Sequence, residues 1–222
     1  MGMSEQSVRR VSAVRIAVIG AGNMGRALTR ALNVAGHTVT VTARNSEHAQ
    51  KVADELKVAT AGSNREAARD ADMVVLAVPS NTVAAIVEDL DEVLGDAIVV
   101  DTTNPSGLDR AEILRGSASL AEAILLLAPG TRVVKAFNTV FAGRLNDPVI
   151  DGVPLDGFYA GDDPAAKQVV ADLLAEMGFR PVDTGELLTA RVLELMAFLN
   201  IDLNLRYDWP WQSGWKLLGP TG

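Results

Sequence analysis

A run of apolar and β-branched residues, Val14-Arg15-Ile16-Ala17-Val18-Ile19, breaks into Gly20-Ala21-Gly22-Asn23-Met24-Gly25, with the glycines spaced G-x-G-x-x-G. An amphipathic stretch follows, with Ala27, Leu28, Ala31, Leu32 and Ala35 on its apolar side. Strand, tight turn and helix in that order predict the opening β-α unit of a parallel sheet whose turn holds a pyrophosphate. Each glycine has its own reason. Gly20 permits the turn, Gly22 lets backbone approach a phosphate with no Cβ in the way, and Gly25 lets the helix lie close to the strand. The helix start supplies N–H groups and the positive end of the dipole. A glycine-rich turn without a ligand is the alternative, and the flanking strand and helix argue against it. The candidate cofactor contacts in this loop are Gly20, Gly22, Asn23, Met24 and Gly25.

The helix ends at Gly36, and a second strand over 37–42 leads into Ala43-Arg44-Asn45-Ser46. A chain that prefers NAD usually carries Asp or Glu about 20 residues beyond the glycines, bonded to the adenine ribose 2′-hydroxyl. No acid occurs here before Glu47. A carboxylate would repel the extra phosphate of NADP, whereas a guanidinium bonds it through two N–H groups and stacks on adenine. Arg44 is therefore the expected 2′-phosphate ligand, with Ala43, Asn45, Ser46 and His48 around it and Lys51 as an outer charge. A solvated surface arginine is the alternative.

The composition suits an enzyme built on one large domain, or on one with an appendage: 222 residues, 48% hydrophobic. Twenty Lys and Arg against 28 Asp and Glu give a net charge of −8, which argues against a general binder of nucleic acid or anionic membrane. With no cysteine there is no disulfide framework, thiol nucleophile or thiolate metal site, as fits a reducing cytoplasm. Two histidines, His37 and His48, make a two-histidine metal centre an unfavoured reading. Residues 1–13 are polar, carry Arg9 and Arg10, and lack the apolar core of a signal peptide, so a flexible tail is expected. Gln6 stands where a myristoylation signal calls for Ser or Thr. The richest apolar run, 121–128, is interrupted by Glu122 and closed by Pro129, far short of a membrane span.

Downstream, strand-like runs alternate with helical ones, the mark of a doubly wound, mostly parallel α/β sheet of Rossmann type. The pattern predicts a helix over 46–56, a short strand over 57–59, a helix over 64–69 and a doubly buried strand from Met73 to Pro79. Further strands are expected over 97–105 and 132–140, then strand, helix and strand over 157–161, 164–177 and 179–183, and a long helix over 186–204. Ligands bind at the carboxyl ends of such strands. That places Ala77, Val78, Pro79 and Asn104 beside the nicotinamide half of the cofactor, and the polar cluster ending at Thr139 beside its reactive face. The last helix is apolar on more than one side, as a helix packed between the domain and something else would be. The expected organisation is a tail over 1–13, an NADP-binding Rossmann domain over 14–145, and a smaller C-terminal part over 146–222 that completes a second-cofactor pocket.

From Val14 to Lys216 the chain resembles the coenzyme F420-dependent NADP oxidoreductases, a family also found as cytoplasmic domains of membrane ferric reductases. The more specific marks are Val78-Pro79, Thr103-Asn104-Pro105, Val134-Lys135-Ala136-Phe137-Asn138-Thr139, and Gly161-Asp162-Asp163 followed by Arg180-Pro181-Val182-Asp183-Thr184-Gly185. The resemblance implies hydride transfer between C4 of NADPH and C5 of a deazaflavin lying face to face with it. It puts Ala136, Phe137, Asn138 and Thr139 beside the deazaflavin, with 214–217 closing over it. Two departures stand out: Ala43 and His48 where relatives often carry serine and lysine, and a tail dense in tryptophan (Trp209, Trp211, Trp215). Such a reaction needs no protein nucleophile or metal, only two rings held in contact away from water. Lys135 either neutralises charge on the second cofactor or is a salt-bridged strand lysine; Asn104 and Asn138 either bond a ligand or cap a loop. A homodimer in the cytoplasm is expected. The alternatives are an NADPH-dependent reductase of another acceptor (flavin with ferric ion, or a small carbonyl or imine) and a non-catalytic NADP-binding module.

Overall fold

The computed structural model describes residues 13–106 and 115–219, so the expected tail lies outside the described residues except for Ala13. The first half of the chain runs β1 (Arg15–Ile19), α1 (Asn23–Val34), β2 (Thr38–Thr42), α2 (Ser46–Leu56), β3 (Ala59–Thr60), α3 (Asn64–Ala68), β4 (Met73–Leu76), α4 (Val83–Leu94) and β5 (Ile98–Asp101). It continues with α5 (Leu120–Leu127), β6 (Arg132–Ala136), the hairpin β7 (Val149–Ile150) and β8 (Val153–Pro154), β9 (Asp156–Gly161), α6 (Pro164–Glu176), β10 (Arg180–Asp183) and α7 (Ala190–Tyr207). Apart from the hairpin, the strands join one sheet in the order β10-β9-β6-β5-β4-β1-β2-β3.

β1 pairs in parallel with β2 on one side and β4 on the other, Ile16 facing both Val39 and Met73. The chain winds outward from β1 to β3, then returns to β4 and winds the other way. At this reversal the carboxyl ends of β1 and β4 part and leave a crevice. Strand periodicity sorts the core: Ile16 and Val18 pack under Leu28 and Leu32 of α1, while Ala17 and Ile19 face Ala67, Val87, Leu90 and Ile124 on the opposite side. β4 and β5 are buried along their whole length, which is why they read as unbroken apolar runs.

β9 adds to β6 in the antiparallel sense, Ala136 opposite Tyr159, and β10 runs parallel to β9. The C-terminal strands therefore extend the same sheet. The amino ends of β9 and β10, at Asp156 and Arg180, come to lie at the edge where β1 to β6 end.

Some expectations need correction. The strand expected over 132–140 stops at Ala136, because Phe137 takes a left-handed φ of +63° and turns the chain out of the ladder. The helix expected from 186 begins at Ala190 after a single 3-10 turn, Leu187–Thr189. α4, α5 and the small hairpin add to the elements that the sequence pattern predicts. For α5 the available signal was a capping box, in which Ser119 and Glu122 satisfy each other's backbone N–H groups.

The C-terminal tail is docked through Asp156, whose carboxylate is 1% exposed. It accepts from Arg180 Nε and Nη2 at 2.7 and 2.6 Å, from Lys216 Nζ at 3.1 Å and from the Leu217 N–H at 2.7 Å. Burial pushes this carboxyl up, but the Arg180, Leu217 and Lys216 bonds outweigh it and hold it below the usual range. A depressed carboxyl stabilises the fold above its unfolded value, about 3.9, and that contribution disappears as pH falls through the lower folded value. Wild-type protein is therefore expected to lose tail packing, read as tryptophan fluorescence, only below about pH 4. Asp156→Ala should show the released-tail spectrum at neutral pH; an unchanged spectrum would remove Asp156 as the anchor.

Candidate functional site

The loop after β1 is built as its glycines require. Gly20 holds φ at +116°, and a Cβ there would stand 2.1 Å from the Ala77 carbonyl oxygen. At Gly25 a Cβ would stand 1.8 Å from the Gly20 oxygen, so α1 can start this close to β1 only with glycine there. Around Gly22 a Cβ would meet nothing within 4 Å: that position faces open space. Gly22 is also the N-cap of α1 and offers no side chain to its first turn. Asn45, Ser63, Ser119 and Asp163 do cap their helices, α2, α3, α5 and α6. The first N–H groups of α1 are left for an anion.

In front of this loop lies a cavity of about 540 Å³. Ile19, Gly20, Ala21 and Gly22 form its floor, Ala43, Arg44, Asn45 and His48 the β2 end, and Ala77, Val78 and Pro79 the β4 end. Arg44 is surface-exposed yet lines the cavity, and it has no hydrogen-bond or ion-pair partner among the described residues. Asn45 is partly committed, since its Oδ1 accepts from the His48 N–H at 3.1 Å. Asn64, Thr82, Ala85 and Ile86 also line the cavity and were not anticipated; they come from the starts of α3 and α4, which only the folded sheet brings to β1. The shape and chemistry fit a dinucleotide: a crevice at the switch point, a glycine seat for pyrophosphate, and an unpaired guanidinium with no carboxylate lining the cavity.

One strand further along the same edge, Asn104 and Asn138 brace the ends of β5 and β6. Asn104 Nδ2 donates to the Asn138 carbonyl and Asn138 Nδ2 donates to Asn104 Oδ1, both at 2.9 Å. They line a smaller cavity of about 110 Å³, with Met24, Thr139, Phe141 and Asn200. Asn23 and Gly25 line neither cavity. Ala136 and Phe137, expected beside the second ring, are 0% and 2% exposed and belong to the core, because the turn at Phe137 sends its side chain inward. Residues 214–217 do not line the small cavity either. Trp215 packs against Phe158 and Leu193, and Lys216 and Leu217 bond Asp156. The tail reaches the small cavity's wall earlier, through Trp211 set edge-on to Phe141 at 5.4 Å and Ser213 bonded to Asn200 at 2.7 Å.

Lys135 is the salt-bridged lysine of the two readings. It is fully buried, and its Nζ donates to Asp101 Oδ2 at 2.7 Å, to Glu194 Oε1 at 2.7 Å and to the Thr103 carbonyl at 2.6 Å. Burial pushes the Glu194 carboxyl up by more than Lys135 pulls it down. The cluster ties β6 to the loop after β5 and to α7, beneath the paired asparagines. Among the described residues no group of acids and histidines could hold a metal, and no helix is long and apolar enough to cross a membrane.

A doubly wound sheet with a glycine-rich loop opening a helix at its switch point defines a dinucleotide-binding domain of Rossmann type. The comparisons agree and go further. The family model for NADP oxidoreductases that are coenzyme F420-dependent matches residues 15–105. The F420-dependent NADP reductase of Methanothermobacter thermautotrophicus is 33% identical over 215 residues, covering 89% of this chain and 92% of that protein. A solved structure from Arthrobacter sp. FB24, provisionally assigned as an F420-dependent NADP reductase, superposes with a TM-score of 0.82 at 29% identity, covering 93% of this chain and all of that one. The rat metalloreductase STEAP3 is 31% identical over 182 residues, but this chain spans only 36% of its length. The chain belongs to the F420-dependent NADP reductase family.

Proposed function

We propose that this protein transfers a hydride between NADPH and a deazaflavin of the coenzyme F420 type. The observation that carries the reading is the pairing of two cavities on one sheet edge, the larger with an Arg44 that has no partner among the described residues and no lining carboxylate, the smaller at the ends of β5 and β6. Strands lie about 4.8 Å apart, so the ends of β4 and β6 are separated by roughly 10 Å, a distance two stacked ring systems span. NADPH supplies the hydride. The protein binds and orients: Gly20 and Gly22 with the α1 N–H groups seat the pyrophosphate, Arg44 and His48 take the 2′-phosphate, and Ala77, Val78 and Pro79 pack on the nicotinamide side. Residues 14–145 form the nucleotide-binding part, and 146–219 supply α7 and the tail that close the second pocket.

Arg44→Ala should raise the KM for NADPH roughly 10- to 150-fold, the loss of one charged hydrogen bond of about 1.5–3 kcal/mol, and leave that for NADH nearly unchanged. Equal effects on both nucleotides would remove Arg44 as the discriminating residue. Absorbance assays of NADPH with a deazaflavin, and separately with ferric ion and free flavin, test the acceptor. Turnover confined to the second mixture would favour the metalloreductase reading, which the 31% identity to STEAP3 supports.

The proposed state is a cytoplasmic homodimer. α7 supports the dimer by its second apolar face: Leu193, Ala197 and Phe198 are buried against the sheet side, while Val192, Leu199 and Leu205 stand half exposed or more on the outside. The absence of cysteine fits a reducing compartment.

A further inference from the structure

Three residues that line the 110 Å³ cavity each carry a buried side-chain atom with no hydrogen-bond partner among the described residues: Asn138 Oδ1, Thr139 Oγ1 and Asn200 Nδ2. Their residues are 3%, 3% and 5% exposed. Native proteins leave few such atoms unsatisfied, because each forfeits its hydration, so three at one cavity point to a polar ligand. The identity of each atom is set by its neighbours. Asn138 Nδ2 is spent on Asn104, which leaves an acceptor. Asn200 Oδ1 accepts from Asn204 Nδ2 at 3.1 Å and Ser213 Oγ at 2.7 Å, which leaves a donor. The Thr139 hydroxyl serves as either.

We propose that Asn200, with Asn138 and Thr139, reads the imide edge of the acceptor ring, a carbonyl, an N–H and a second carbonyl in a row. Asn138 Oδ1 takes the imide N–H, and Asn200 Nδ2 and the Thr139 hydroxyl donate to the flanking carbonyls. A volume of about 110 Å³ holds one edge of a ring system, not a whole tricycle, so the remainder extends from the notch along the sheet edge toward the larger cavity. Asn138, Thr139 and Asn200 thereby determine specificity together, selecting planar heterocycles with that edge over simple carbonyl or imine compounds. The inference rests on the two-ring reading above, and since flavins and deazaflavins share this edge it does not by itself choose between them.

The test is binding to the NADP⁺-loaded enzyme, where no turnover occurs, followed by quenching of ligand fluorescence. The ligands are 5-deazariboflavin, riboflavin and the N3-methyl derivative of each, which lacks the imide N–H. Wild type should bind the N3-methyl forms about tenfold or more weakly, the value of one hydrogen bond. Asn200→Asp keeps the acceptor for Asn204 and Ser213 but turns a donor into an acceptor. It should weaken the unmethylated ligand by a similar factor and leave NADP⁺ affinity within about twofold. Equal binding of methylated and unmethylated rings overturns the assignment while leaving the two-ring reading intact. Binding of no ring at all overturns both, and discrimination seen with riboflavin alone supports the edge reading while removing the deazaflavin. Should Asn200→Asp fail to fold, the analogue pairs on wild type decide alone.

Discussion

Gly22→Val is expected to weaken NADP(H) binding by roughly a hundredfold or more while leaving a folded protein, the loss of about two charged hydrogen bonds to phosphate. A Cβ at Gly22 meets no protein atom within 4 Å, and the backbone there is extended, φ −71° and ψ −171°, which any residue adopts. The isopropyl group instead projects into the space where the pyrophosphate would lie. The cost to the fold is only that of a poor N-cap, about 1 kcal/mol or roughly 2–4 °C in Tm for a chain this size. Gly25→Ala makes the contrast. Its methyl would stand 1.8 Å from the Gly20 oxygen, backbone that cannot move aside without breaking the turn. Overpacking of that severity should cost about 3 kcal/mol or more, lowering Tm by roughly 6–12 °C. Calorimetry of both variants checks the pair. Normal NADPH affinity in folded Gly22→Val would mean that this loop is no pyrophosphate seat.

Lys135→Met is expected to destabilise the protein by about 3–5 kcal/mol, because it strands two buried carboxyl groups and a carbonyl without their shared donor. Asp101 retains the Thr103 N–H and hydroxyl at 2.9 and 2.6 Å, and Glu194 retains only the Leu120 N–H at 3.0 Å. Glu194 is therefore the group that suffers most, and adding Glu194→Gln should recover part of the loss. Urea denaturation of the single and double variants measures the coupling; a loss under about 1 kcal/mol for Lys135→Met would show that the cluster anchors nothing. The same carboxyl has a pH signature. Burial holds it above its ordinary value, so the folded state keeps a proton that the unfolded state has already released. The stability it contributes is complete below about pH 4.3 and declines as pH rises through the folded value. The stability of Glu194→Gln relative to wild type should accordingly improve between pH 4 and pH 8.

The residues around the larger cavity were legible because their sequence signals are local. The glycine spacing, the missing acid after β2 and the buried runs of β4 and β5 are each contained in a dozen residues, and the structure places Arg44, Ala77, Val78 and Pro79 around one cavity. What depended on long-range packing was not legible. Lys135 looks like a possible ligand residue until Asp101 and Glu194, 34 and 59 positions away, close on it. Asn200 was hidden in a helix assigned by its leucines, and only the turn at Phe137 brings Asn138 and Thr139 to face it. α4 was missed beside the conspicuous strand that precedes it, so Thr82, Ala85 and Ile86 went unseen with it. Phe137 and Ala136 were misplaced for a simple reason: a sequence motif names a segment, and a left-handed residue in its middle decides which side chains turn outward.

The antiparallel addition of β9 to β6 has a mechanical consequence. Both rings would dock on a single hydrogen-bonded platform, with no swivel between a nucleotide lobe and a substrate lobe. The walls of the two cavities are thus tied together by one continuous ladder of backbone hydrogen bonds, so bringing the rings into contact would fall to side chains and to the way each ligand seats itself and not to the opening and shutting of a jaw.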